Sequence, residues 1–141
     1  MNSIQLINRL KSVRNFCGVY ARDQLPKTLR RPVSFIVNTD SKNEKGEHWV
    51  AFYLTKSRLE YFDPLGFPPF GKNLVGFINK NTRKRFYYSC KSLQNSNSTI
   101  CGKYCIAFIK HRYSGKSYVS FINKFSRNTK RNDVLILNEK N

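Results

Sequence analysis

Two runs rich in β-branched and aromatic residues, Glu47–Leu54 and Ser57–Phe62, are separated only by Thr55 and Lys56. So short a connection joins antiparallel neighbours, and a hairpin fixed near the middle of a chain leaves few folds open to the rest. Setting Leu54 opposite Ser57 puts Phe52 against Leu59, Val50 against Tyr61 and His48 against Asp63. Side chains alternate along a strand, so one face carries His48, Val50, Phe52, Leu54, Leu59, Tyr61 and Asp63. The other carries Trp49, Ala51, Tyr53, Arg58, Glu60 and Phe62. The first face is the more apolar and is expected to pack on the core, with a helix beneath it. At its end an imidazole meets a carboxylate. Glu60 points away from that ring, and a one-residue slip would exchange the two faces.

The flanking segments supply the other layers. Residues 3–13 read as an amphipathic helix striped by Ile4, Ile7, Leu10 and Val13, broken by Gly18. Phe16–Pro26 reads as an aromatic-containing loop, and Val33–Val37 as a strand buried on both faces. A polar turn over 39–46 leads into the hairpin, and Pro64–Gly71 forms a stiff loop after it. A short helix is expected over 73–80, a strand over 85–93 and a helix over 117–125. Arg127–Arg131 reads as a basic linker, and Val134–Leu137 fits helix or strand equally. The expected class is α+β, a single domain spanning residues 1–141 with a core large enough to bury roughly two-thirds of the unfolded surface.

Between these elements lies Leu93–Cys105, the stretch that carries chemistry. The polar run Asn95–Thr99 offers Ser98 or Thr99 as an N-cap, after which Ile100, Tyr104, Cys105, Phe108 and Ile109 recur at helical spacing to about Tyr113. Cys101 therefore falls in a first helical turn, where unpaired N–H groups and the helix dipole favour an anion on its sulfur. Gly102 leaves room for a substrate backbone, and the Gln94 amide can join the Cys101 N–H in binding an oxyanion. Read alone, Cys101 is an apolar helix residue, His48 a polar strand end and Asp63 a turn former before Pro64. Together they supply a sulfur nucleophile, an imidazole to maintain it and protonate a leaving amine, and a carboxylate to fix the imidazole.

Composition narrows the partners. Lys and Arg number 26 against 8 acids, a formal +18, which points to a polyanion such as DNA held through its phosphates. The cations are spread along the chain, as at Arg30-Arg31, Arg83–Arg85, Lys110–Arg112 and Arg127–Arg131, and so make a charged surface. No segment approaches the ~20 apolar residues of a membrane span and no signal peptide is evident, so a soluble, intracellular protein is expected; it is read as a monomer. The four cysteines, Cys17, Cys90, Cys101 and Cys105, lack paired metal-ligand spacing and read mostly as free thiols. No metal site is expected.

In Gly18-Val19-Tyr20, Ile36–Thr39, His48-Trp49-Val50-Ala51-Phe52, Tyr61–Phe67 and Gln94-x-x-Asn97-Ser98-x-x-Cys101-Gly102, the chain resembles the adenovirus-type cysteine endopeptidases (adenain), relatives of the SUMO-removing proteases. The resemblance implies a papain-like fold in which a central helix packs on a mixed or antiparallel sheet. It implies a triad of Cys101, His48 and Asp63, with Gln94 as the side-chain oxyanion donor. It further implies cleavage beside glycine in viral or transposon structural precursors, in the virion and host nucleus if the chain is viral. No cofactor is needed for the chemistry, while DNA is implied as activator. Arg83 stands near the spacing of the cysteine that tethers the activating peptide in adenain, with Cys90 closer to Gln94, so a peptide activator is left open. Trp49 and Gly102 are the candidate walls of a narrow cleft, with a core role for Trp49 as the competing reading. The alternatives are an isopeptidase acting on a ubiquitin-like tail and a basic DNA-binding virion protein without activity.

Overall fold

The computed structural model describes residues 1–39 and 48–139, so most of the expected polar turn and Glu47 lie outside the described residues. Five strands, β1 (Phe16–Ala21), β2 (Val33–Asn38), β3 (Trp49–Leu54), β4 (Arg58–Phe62) and β5 (Arg85–Tyr88), form one sheet in chain order. The three central strands are antiparallel, and each edge strand lies parallel to its neighbour. The helices are α1 (Ser3–Arg9), α2 (Lys72–Asn81), α3 (Cys101–Tyr113), α4 (Tyr118–Ile122) and α5 (Thr129–Asn138). The fold is α+β with a mixed sheet.

The hairpin forms with its tip one residue later than expected. Thr55 N–H donates to Arg58 O at 2.9 Å and Thr55 Oγ1 accepts from Arg58 N–H at 3.0 Å, which places Lys56 and Ser57 at the tip. Leu54 therefore pairs with Leu59 and Phe52 with Tyr61, a two-residue shift that preserves every face assignment. The expected single core face is corrected. Val50, Phe52, Leu54, Leu59 and Tyr61 pack against Leu74, Phe77 and Ile78 of α2. Trp49, Ala51, Tyr53 and Phe62 face α3 instead, where Phe62 stacks on Phe108 with centroids 4.7 Å apart. Both faces are buried, so the helix carrying Cys101 lies opposite the face that carries His48. An alanine at Phe62 would cost about 3–5 kcal/mol in lost burial and cavity.

α3 is covered by the sheet, α1, α4 and α5, which explains why apolar residues surround it instead of forming a stripe. Its far end is tied to the sheet by Glu60, fully buried, which accepts from Arg112 Nε at 2.7 Å and Nη2 at 2.9 Å. Gly115, at φ +94°, closes the helix.

Other expectations need correction. Phe16–Ala21 is an edge strand and not a loop, because β2 supplies the ladder that its own irregular pattern, interrupted by a register shift between Phe16 and Val19, does not announce. α1 ends at Arg9, fixed at its start by a capping box between Asn2 and Gln5. β5 stops at Tyr88, where its pairing with β4 runs out. The basic linker and the ambiguous apolar end together make α5, capped by Asn128. None of the four cysteines forms a disulfide.

Candidate active site

His48 immediately precedes β3 and Asp63 immediately follows β4, so the hairpin ladder itself brings them to one end of one face. The shifted tip makes them diagonal neighbours, and both side chains lean across the gap. His48 Nε2 lies 2.9 Å from Asp63 Oδ1. Asp63 is 3% exposed, and the same oxygen accepts from Leu65 N–H at 2.8 Å, so the turn before Pro64 also aims the carboxylate.

Cys101 is the first residue of α3. The Cys101 sulfur reaches the imidazole around the start of β3, past the end of the ladder, because α3 packs on the opposite face. There its Sγ accepts from Trp49 backbone N–H at 3.4 Å and its side chain is a hydrogen-bond partner of the His48 ring. The expected cap is corrected: Ile100 occupies the N-cap without a side-chain bond, and Ser98 Oγ turns back to Asn95 O. No side chain therefore caps the first turn beneath the sulfur.

The electrostatics derive from these contacts. Burial alone would lower the His48 pKa, but hydrogen bonds to Asp63 and Cys101, with the negative charge of both, outweigh it and push the pKa up to about 10. The ring is thus protonated near neutral pH. One turn along, Cys105 is fully buried and its thiol is pushed well up, first by desolvation and then by the charges of Cys101 and Asp63. Its S–H donates to Trp49 O at 3.4 Å.

Gln94 sits in the loop before α3 and is 2% exposed. Its backbone N–H donates to Pro64 O at 3.0 Å, and its amide Nε2 to Ser98 O at 2.9 Å. The loop is also gripped from a side that sequence reasoning missed. Asn132, fully buried, donates from Nδ2 to Leu93 O at 3.1 Å, and Asp133 Oδ1 accepts from Asn95 N–H at 3.3 Å and Tyr104 O–H at 2.7 Å. The available signal was a polar Asn-Asp pair on the same helical stripe as the buried Ile136.

The cleft expectation for Trp49 and Gly102 finds a packing explanation. Trp49 is 3% exposed in the core facing α3, and its Nε1 donates to Met1 O at 3.0 Å. A Cβ at Gly102 would lie 3.2 Å from Leu6 Cδ2 and 3.3 Å from Trp49 Cδ1, so glycine there admits the protein's own atoms. Among the described residues no group of three or more His, Cys, Asp or Glu side chains could hold a metal, and no helix is long and apolar enough to cross a membrane.

A mixed sheet presenting an imidazole–carboxylate pair to a sulfur at the start of a buried helix has the architecture of the papain-like thiol hydrolases. The chain belongs to the adenovirus endoprotease family, a family of cysteine endopeptidases, whose model matches residues 16–130. It is 25% identical over 130 residues to the SUMO-1 cysteine protease of African swine fever virus, covering 82% of this chain and 47% of that protein. The cysteine protease of another isolate of that virus is 27% identical over 111 residues, covering 68% and 40%. The crystal structure of the African swine fever virus protease shares the fold with a TM-score of 0.64 at 22% identity, over 92% of this chain and 61% of that one. The chain spans about half the length of the relatives it matches, at 47% and 40%.

Proposed function

We propose that the chain is a cysteine endopeptidase in which Cys101 is the nucleophile, His48 the general acid and base, Asp63 the residue that orients His48, and Gln94 an oxyanion donor. The observation that carries this reading is the His48 ring bridging Asp63, at 2.9 Å, and the Cys101 sulfur at a helix start. Cys101 Sγ attacks the scissile carbonyl, forming a C–S bond. The oxyanion is held by the Cys101 N–H and by the Gln94 amide hydrogen that Ser98 does not take. Nε2 faces Asp63, so the other ring nitrogen gives its proton to the leaving amine as the C–N bond breaks. His48, now neutral, takes a proton from water, which hydrolyses the thioester and returns the sulfur.

The substrates are structural precursor proteins of viral or virus-like origin, cut beside glycine, and the formal charge of +18 supports DNA as an activator or guide. The test is a panel of glycine-containing peptides, with and without double-stranded DNA, beside Cys101→Ala. Cleavage only by the parent chain, with stimulation that falls steeply with salt, supports the proposal. Cleavage retained by Cys101→Ala refutes the mechanism, and a response insensitive to salt removes DNA. A second reading, removal of a ubiquitin-like modifier, is favoured by the name of a relative, a SUMO-1 cysteine protease. Hydrolysis of a folded ubiquitin-like fusion but of no short peptide would select it.

A further inference from the structure

A cavity of about 460 Å³ opens against the His48–Asp63 pair, within the size range of ligand pockets. His48 and Asp63 line it, whereas Cys101, Trp49 and Gln94 do not. Its other walls include Tyr61, Leu74, Phe67 and Phe70. Phe67 is 62% exposed and Phe70 86%, although both are large apolar groups that would gain from burial. They do not belong to a slack loop. Gly66, at φ +78°, is pressed so close to the chain that a Cβ would stand 2.6 Å from Cys90 O, and Pro68 and Pro69 stiffen the backbone between the two rings. Phe67 and Phe70 are thus held at the rim of a pocket whose floor is the imidazole–carboxylate pair.

We infer that this cavity is a subsite for an apolar side chain, aromatic or large aliphatic, carried by the substrate segment C-terminal to the scissile bond; the inference rests on the endopeptidase reading above. The direction is set by the chemistry. The amine released by Cys101 takes its proton from His48, so the chain that continues past that amine crosses the imidazole toward Asp63, where the cavity opens. The preference is set by the walls. The charged groups lining the pocket are His48, Asp63 and Arg22, and each already has a partner: Asp63 holds His48, and Arg22 Nη1 donates to Thr39 O at 3.0 Å. A lysine side chain entering there meets a protonated imidazole and a guanidinium, while an apolar side chain meets Tyr61, Leu74 and the two exposed rings.

The test uses internally quenched peptides identical up to the scissile bond, with Phe, Leu, Ser or Lys in the first or second position after it. The ratio of kcat/KM for Phe over Lys at one of these positions is expected to reach at least about tenfold. Phe70→Ser should bring that ratio to within about twofold, whereas Phe86→Ser, an exposed aromatic on β5, should retain it. A ratio is insensitive to the fraction of folded enzyme, so partial unfolding cannot imitate the result. If the parent chain cleaves every peptide equally, or Phe70→Ser keeps the full ratio, the subsite is overturned and the endopeptidase stands. If no peptide is cleaved and Cys101 does not react with a thiol reagent, both fall together.

Discussion

The two sides of the candidate site are supported in different ways. His48 and Asp63 are fixed by a backbone ladder: once β3 and β4 pair, strand alternation alone puts the two side chains on one face. The Gln94 loop has no ladder. It is held by Pro64 O, by Asn132 on Leu93 O and by Asp133 on Asn95 N–H, contacts that come from 38 and 39 residues away in the case of α5. A support built from local pairing tolerates side-chain changes around it, whereas one built from a few distant hydrogen bonds fails when any is removed.

That contrast can be broken from either side. On the ladder side the largest effect is expected from His48→Ala, which should lower kcat by at least ~10⁴-fold, with Asp63→Asn less severe at roughly 10²–10⁴-fold because it orients the ring without itself carrying the transferred proton. Unchanged circular dichroism should accompany both. On the loop side Gln94→Ala should cost ~10²–10³-fold in kcat. Asn132→Ala should cost about tenfold in kcat with little change in KM, and about 1–3 kcal/mol of stability from the hydrogen bonds lost at Leu93 O and at the Ser126 backbone. Its kinetic effect should vanish when combined with Gln94→Ala, since it acts through that loop; additive losses would show that α5 supports the fold alone.

The smallest effect concerns pH. The His48 pKa is raised in the folded chain from 6.5 to about 10, so the native state holds more protons than the unfolded one between those values. The stabilisation from this group is fully present below pH 6.5 and is lost as pH rises through about 10. Chemical denaturation across that window should show stability declining with pH, and His48→Gln should flatten the slope. An unchanged slope in that variant would assign the decline to other groups.

Legibility in the sequence divides along the same line. The hairpin, its face parity and the start of α3 depend on short-range alternation and periodicity, and a two-residue error in register left His48 and Asp63 on one face because parity is conserved. The helix–sheet packing was misplaced because both hairpin faces are apolar enough to be buried, so pattern alone could not say which faces α3. β1 was missed because an edge strand takes its order from a neighbour, and α5 because its first turn, Thr129–Arg131, reads as a charge run. Asn132 and Asp133 are intelligible only once the loop they hold is in place.

The central claim is that the His48 and Asp63 support makes Cys101 a nucleophile while Cys105, one turn away, stays inert. Alkylation with iodoacetamide at about pH 6, followed by peptide mapping of all four cysteines, measures this directly. The account predicts that Cys101 is modified well ahead of the exposed Cys90 and Cys17, that Cys105 is untouched, and that His48→Ala abolishes the preference. Modification of Cys90 ahead of Cys101, or a Cys101 rate indifferent to His48, would contradict it.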